Sequence, residues 1–550
     1  MKKTPLKVLS AILFSSLMLT ACTGTGSKND SRTENGSGNV PQVLNLLEKS
    51  EIPSMDTSKA TDSVSFDVMN NVFEGLYRLD KNNKPVPGAA KSVDISKDGK
   101  TYTFHINENA KWSNGDPVTA EDFVYAWKKA LHPETLSEYA YIMGPIKNAN
   151  AIQNSKDPLY GKVDELGIKA VDAATLEVQL EAPAPYFLGL TGFPTFYPQN
   201  EKYVTSQGDK YALEVENMIY NGPFVLSEWK HEEGWVYKKN SQYWDKKSVK
   251  LDQINVNIVK DVGTGVNLYN TNESDFVYLS SEYVDQYKDN EDFNTILDST
   301  VFFMRMNQKT KGLNNLDIRK AIDMAWDKQG LTDVILNDGS IPANFYVPKD
   351  FVSSPGGTDF RKENGNLGEY NPVKAKELWK KGLKAIGEKG LKLELLNYDS
   401  ENSKKVGEMI QSQLETNLPG LKITINPQPF KQKLKLETKK EYDISYAGWG
   451  PDYQVAMTFL DMWITDGSHN QSNYSNPEYD RLIQEANAEI DQEKRWKHLL
   501  DAEKLMFADQ VISPMFQEGH AYLQRGKVKD ILFHSFGPRK SFKWTYISSE

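Results

Sequence analysis

Asp98-Gly99-Lys100-Thr101-Tyr102-Thr103-Phe104, followed at a short distance by Lys111-Trp112-Ser113-Asn114-Gly115-Asp116-Pro117-Val118-Thr119-Ala120-Glu121-Asp122-Phe123, carries the densest local instruction in the chain. Asp98-Gly99 sits between alternating runs that put Tyr102, Phe104 and Ile106 on one face, the pattern of a two-residue hairpin. Trp112 to Pro117 is turn chemistry. Thr119 then stands as an N-cap with an acid, Asp122, three residues later, and Phe123, Trp127 and Ala130 follow at helical spacing. Strand, turn and capped helix succeed one another.

Outward from this segment the same periodicities recur. Val43, Leu44, Leu46 and Leu47 supply a first strand, and Leu251 to Val259 and Leu391 to Tyr398 read as further strands. Ile318 to Trp326, Val373 to Ile386, Lys405 to Thr416 and Pro477 to Phe507 read as helices. The expectation is a mixed α/β protein with more than one core. A chain of 550 residues, 39% hydrophobic and 11% aromatic, has the material for two or three domains.

At the other extreme of the sequence, Lys2, Lys3 and Lys7 precede an apolar stretch, Val8 to Leu19, that is too short for a stable membrane span. This is the layout of a secretory leader. Leu19-Thr20-Ala21-Cys22 resembles the lipobox of bacterial lipoproteins, which implies cleavage before Cys22 and lipidation of that cysteine. Thr23 to Asn39 contains no apolar residue and is rich in Gly, Ser and Asn, so residues 22–39 read as a lipidated cysteine and a flexible tether with a reach of roughly 20–25 Å.

Removal of residues 1–21 leaves 62 basic against 75 acidic side chains, a net charge of −13, and nucleic acid is excluded as an expected partner. Cys22 is the only cysteine, so the chain has no disulfide, no second thiol and no zinc–thiolate set. Its seven histidines never fall at the spacing of a metal-binding pair. A G-x-S-x-G elbow, a P-loop and a glycine-rich dinucleotide turn are all missing. Ser227-Glu228-Trp229-Lys230 matches S-x-x-K, but no K-T-G completes an acyl-enzyme set, and no carboxylate pair for glycoside hydrolysis can be assigned. The reading is a binding protein, not an enzyme, with no metal and no cofactor.

The opening segment also resembles the signature of the oligopeptide-binding solute receptors of ABC importers, the extracellular solute-binding protein family 5. Phe73-Glu74-Gly75-Leu76, Tyr220-Asn221-Gly222-Pro223-Phe224, Tyr243-Trp244, Ile318-Arg319-Lys320-Ala321, and Gly448-Trp449 through Asp452-Tyr453 extend the likeness from about residue 40 to the C terminus. The resemblance implies a periplasmic-binding-protein-like (type II) Venus-flytrap, two lobes built from three domains with a hinge. Domain I would comprise residues 40–73, 201–298 and 514–550, domain II the inserted residues 74–200, and domain III, the opposite lobe, residues 299–513. It further implies a lipid-anchored, monomeric receptor on the extracellular face of the bacterial membrane, which captures oligopeptides and delivers them to an ABC permease.

In that family the ligand is held by strand-like backbone pairing, which is indifferent to side chains. The resemblance places pairing segments at Ser63-Val64-Ser65 and Gly448-Trp449-Gly450. It gives Asp452 to the peptide's α-ammonium, Tyr139 to the same pocket, and Trp449, Phe302, Phe303, Phe430 and Tyr269 to the cleft wall. Two departures stand out. Where relatives carry two arginines and a histidine for the peptide's terminal carboxylate, this chain has Glu437, Tyr446 and Ser403, so that lock is missing. Either longer peptides run past the pocket, or a specific apolar peptide contacts Tyr446 and Phe430. The acid-proline usual after Asp452-Tyr453 is replaced by Gln454-Val455-Ala456-Met457. A signalling (pheromone) peptide is the narrower alternative ligand. Haem, a metal chelate and a sugar are alternatives of another class, and a surface hydrolase is a third.

Overall fold

The computed structural model describes residues 40–549. The leader, Cys22 and the tether lie outside the described residues. Three sheets organise the chain. The first, four-stranded, runs Val43–Glu48, Gln253–Ile258, Gly234–Lys239, Phe224–Lys230. Its first pair is parallel and the others are antiparallel. The second is an antiparallel sheet in the order Ala90–Ile95, Thr101–Ile106, Thr175–Gln179, Ile168–Asp172, so it is inserted in sequence between the first strand and the remaining strands of the first sheet.

The third sheet is seven-stranded. Its path is Phe276–Tyr278, Ile512–Gln524, Phe293–Met306, Ile444–Trp449, Leu391–Tyr398, Leu421–Gln428, with Ile341–Pro342 added beside Ile512–Gln524. Two strands of this sheet, Phe293–Met306 and Ile512–Gln524, are long and pair with each other along most of their length. Their ladder slips between Leu297 and Val301 and again between Phe302 and Phe303. N-terminal to the slip, Phe293 packs on a small core of Val262, Val266, Tyr269, Val277 and Leu523. Beyond it, Met304 and Met306 belong to a large core capped by the helices Leu316–Met324, Pro372–Ala385 and Glu401–Asn417. One pair of strands thus serves two cores, with the irregularity between them.

The opening segment folds close to its sequence reading. Tyr102, Phe104 and Ile106 are buried, and Asp122 Oδ2 accepts from the Thr119 amide at 2.9 Å and from Trp112 Nε1 at 3.0 Å. Burial pushes the Asp122 carboxyl up to about 6. The hairpin is longer than the two residues expected. Ser96 N donates to Thr101 O, Gly99 N returns to Ser96 O, and Gly99 takes φ +67°, so the turn spans Lys97 to Lys100.

Three further motifs, Phe73–Leu76, Tyr220–Phe224 and Tyr243-Trp244, assemble around one buried acid. Glu74 accepts from Tyr243 Oη, from Trp244 Nε1 at 2.5 Å and from Arg78 Nη1 at 2.9 Å, while its amide donates to Asn221 Oδ1 at 3.0 Å. Gly222 meets Phe73 closely enough that a Cβ there would lie 2.5 Å from the Val72 carbonyl carbon. These three motifs are therefore a packing node.

Two expectations about elements are corrected. Pro477 to Phe507 is two helices, Pro477–Ala488 and Gln492–Ala508, because Asp491 caps the second by accepting from the amides of Glu493 and Lys494. Ser63-Val64-Ser65 is no strand. It is the first turn of the helix Ser63–Val72, where Asp62 caps by accepting from Ser65 N at 2.8 Å and Ser65 Oγ at 2.7 Å.

Candidate functional site

A cavity of about 190 Å³ lies where Glu138 and Tyr139, just before the turn Ala140–Met143, meet the strand Ile444–Trp449. That strand is paired along Ile444 to Trp449 with Phe293–Met306 on one side. On its other side Leu391–Tyr398 reaches only Ile444 and Ser445. From Tyr446 onward the second edge is unpaired within the sheet, and Gly448, Trp449 and Gly450 line the cavity there. Gly448 has a packing reason as well: a Cβ on it would stand 2.8 Å from the Phe302 ring.

Asp452 follows this strand and is buried at 7% exposure. Its Oδ1 accepts from Tyr139 Oη at 3.4 Å, its Oδ2 from Tyr141 Oη at 3.1 Å, and its amide donates to Thr458 Oγ1 at 3.0 Å. Trp449 Nε1 donates to Thr458 O at 2.8 Å, so the loop that carries Asp452 is tied at both ends. Burial, aided by the nearby Asp461, pushes the Asp452 carboxyl well above the usual carboxylate range, and burial pushes Asp461 itself up to about 7. Burial thus opposes ionisation of the Asp452 carboxyl, whose two oxygens are met by the two tyrosine hydroxyls.

Aromatic rings frame this acid. Tyr139 stacks on Trp449 at 6.2 Å and on Phe193 at 5.5 Å, and Phe66 meets it edge-on at 5.1 Å. His469 stands edge-on to Tyr139 at 4.8 Å and to Trp449 at 5.1 Å. Burial drives its imidazole down to about 3, so it is neutral, and its Nε2 is buried without a partner. Contacts across the cavity hold the two sides together: Thr438 Oγ1 donates to Glu138 at 3.1 Å and Ser468 Oγ to Glu138 O at 2.8 Å.

Of the expected residues, Asp452, Tyr139, Gly448, Trp449, Gly450, Phe302, Phe430 and Ser63 all face this cavity. Ahead of the helix Ser63–Val72 the wall is Thr61-Asp62-Ser63, displaced toward the N terminus from the expected Ser63-Val64-Ser65, because Val64 and Ser65 turn into the helix. Phe303 points away, edge-on to Tyr346 at 5.4 Å and to Trp463 at 5.8 Å, as strand alternation from Phe302 requires. Tyr446 is buried behind the wall, against Phe302 at 5.3 Å and Tyr398 at 5.5 Å. Tyr269 is remote: it packs in the smaller core, donates to Asp292, and lies under the Arg525 guanidinium at 3.9 Å.

Glu437 faces the cavity, whereas Ser403 sits at the start of the helix Glu401–Asn417, its amide donating to Ser400 Oγ. Gln454, Val455 and Ala456 line a separate, more open chamber of about 740 Å³ beside Tyr453, which stacks on Tyr186 at 5.2 Å.

Sequence reasoning missed Tyr141, His469, Arg305, Arg539 and Glu518. Tyr141 could have been found two residues from Tyr139. No sequence signal marks the others, which come from distant elements. Asp298, Glu518 and His520 come together beside the first slip in the ladder of the two long strands, close enough to share an ion. Arg539 Nη1 already engages Asp298 at 2.7 Å and Glu518 at 3.1 Å, which reads as a bridging guanidinium within an ion cluster.

The profile of the bacterial extracellular solute-binding proteins, family 5, matches residues 84–471. Among solved structures, the substrate-binding domain of an oligopeptide ABC transporter from Bacillus anthracis is 48% identical with a TM-score of 0.91, covering 93% of this chain and 99% of that one. OppA of Listeria monocytogenes bound to peptide is 45% identical with a TM-score of 0.90, covering 93% and 100%. The pheromone receptor PrgZ is 37% identical with a TM-score of 0.89, covering 93% and 100%.

Proposed function

The chain belongs to the family 5 bacterial extracellular solute-binding proteins, and from that premise we propose that it is a peptide receptor that closes over oligopeptides and hands them to an ABC permease. The observation that carries the reading is the buried Asp452 carboxyl, held by Tyr139 and Tyr141, next to the unpaired strand edge at Gly448 to Gly450. A peptide offers what both need, an α-ammonium for the acid and a run of N–H and C=O groups for the edge. The free edge supplies binding energy common to every sequence, and the acid fixes the register by capturing one end.

In this reading the protein performs no chemistry, Cys22 carries the lipid, and residues 23–39 tether a monomeric receptor near its transporter, raising the local concentration for delivery. The division into residues 40–73 with 201–298 and 514–550, residues 74–200, and residues 299–513 is the proposed domain plan, with the paired strands Phe293–Met306 and Ile512–Gln524 as the hinge. The likeness to a pheromone receptor favours one second reading, a single dedicated signalling peptide.

Native mass spectrometry of the purified protein tests the class of ligand. The expected result is bound mass that fragments as peptide. A heterogeneous set indicates general uptake and one sequence a dedicated signal, while a haem, metal chelate or sugar in the cavity would overturn the proposal.

A further inference from the structure

The same cavity contains a charge cluster away from Asp452. Arg305, on the strand Phe293–Met306, stands 3.3 Å from Glu437 on the helix Phe430–Thr438, and Lys433, one turn earlier on that helix, reaches the same Glu437 oxygen at 2.7 Å. Ser445 Oγ donates to this oxygen at 2.6 Å, and Arg305 Nη1 also donates to Gln471 Oε1. All three charged side chains are buried, and Arg305, Glu437 and Gln471 line the cavity.

One carboxylate therefore serves two cations. Lys433 is further accommodated over the Tyr398 ring at 4.2 Å. Arg305 lies over the Phe303 ring at 5.5 Å, and its Nε is buried with no hydrogen-bond partner. The neutral His469 does not compensate it, and Glu138 at the rim is hydrogen-bonded to Thr438 and has its ionisation opposed by burial. A buried cation in excess is costly unless an anion completes it, and a guanidinium held on one nitrogen suits a planar carboxylate on the next.

We infer that Arg305 is a specificity-determining residue whose guanidinium, steadied by Glu437 and Gln471, receives a carboxylate of the bound ligand. Glu437 is thus the support of the cation and not a bare negative charge facing the ligand. The inference rests on the proposal that the ligand is a peptide, in which a C-terminal carboxylate and an Asp or Glu side chain supply the same chemistry.

The test is retention from a library of tri- to hexapeptides in which each sequence is present as free acid and as C-terminal amide, and with Glu and Gln exchanged at each position. The wild type is expected to retain the carboxylate-bearing members about tenfold or more over their neutral isosteres. The acid–amide pairs show whether the terminus is the source, and the Glu–Gln pairs whether a side chain is. Arg305→Gln, which leaves Lys433 to neutralise Glu437, should abolish the preference while still retaining neutral peptides, and Arg305→Lys should keep part of it. If Arg305→Gln does not fold, Arg305→Met combined with Glu437→Gln removes the pair together and should also erase the preference. Equal retention of acids and isosteres by the wild type, or an unchanged preference in the variants, overturns the inference alone. Retention of no peptide at all overturns the peptide reading beneath it.

Discussion

Replacing Gly448 with alanine adds one methyl group at the tightest backbone approach in the cavity wall. The new Cβ would stand 2.8 Å from Cε1 of Phe302 and 3.0 Å from its Cδ1 and Cζ. Carbon–carbon contacts settle at about 3.5–4.0 Å, so the ring must retreat by roughly 0.5–1 Å. It has little room, because it is stacked on Phe516 at 4.9 Å and tilted against Tyr446 at 5.3 Å, both buried. Relief therefore moves the ring toward the ligand space or the strand out of register, at a cost of about 1–3 kcal/mol typical of overpacking.

Urea denaturation monitored by circular dichroism reads the stability loss, and calorimetry with a retained peptide reads affinity. We expect a lower midpoint with an unchanged slope, and peptide binding weakened about tenfold. The double variant Gly448→Ala with Phe302→Leu should recover most of the stability, since the clash lies between these two side chains. Wild-type stability and affinity in Gly448→Ala would refute the close-approach argument, and failure of the double variant to recover would place the strain elsewhere.

Peptide binding should release a proton from Asp452: burial raises its pKa in the empty closed cavity, a bound ammonium lowers it, and affinity is therefore full above the ligand-free pKa and lost as pH falls through the bound one. Calorimetry of one peptide in buffers of different ionisation enthalpy, repeated across the pH range, measures this, and the absence of proton release at every pH would contradict it. Glu74→Ala should destabilise the fold by about 3–5 kcal/mol by stranding the buried Arg78, with peptide affinity of the folded protein unchanged; denaturation and calorimetry on the same preparation separate the two effects. Tyr269→Phe should leave peptide affinity within twofold of wild type, because its hydroxyl bonds Asp292 and its ring packs in the smaller core.

Elements governed by local rules were readable from the chain. The Thr119 cap, the strand Leu391–Tyr398 and the buried face Tyr102, Phe104, Ile106 follow from spacing alone. The site was legible only in part, since Asp452 and Gly448 to Gly450 sit on a contiguous motif that resemblance could carry across. Val64 and Ser65 failed because Asp62, a strong N-cap, turns those residues into a helix, leaving only Ser63 of the three at the cavity. Phe303 failed by one position on a strand, where neighbouring side chains face opposite ways. Tyr269 failed because its helix, Val262–Asn270, turns it together with Val262 and Val266 into the smaller core. The Arg305, Lys433 and Glu437 cluster was invisible because its strand and helix are joined only by the tertiary fold, and Glu437 taken alone looked like the loss of a cation site when its neighbours make the locality positive.

The central claim is that Asp452 captures a peptide's free ammonium, and calorimetry of one retained peptide against its N-acetylated form, on wild type and on Asp452→Asn, tests it most directly. A charge-assisted contact in a buried site predicts about 1.5–3 kcal/mol, or roughly a 10- to 150-fold loss, on acetylation of the wild-type ligand. The loss should largely vanish in Asp452→Asn. Equal affinity of the wild type for the free and acetylated peptides would contradict the account.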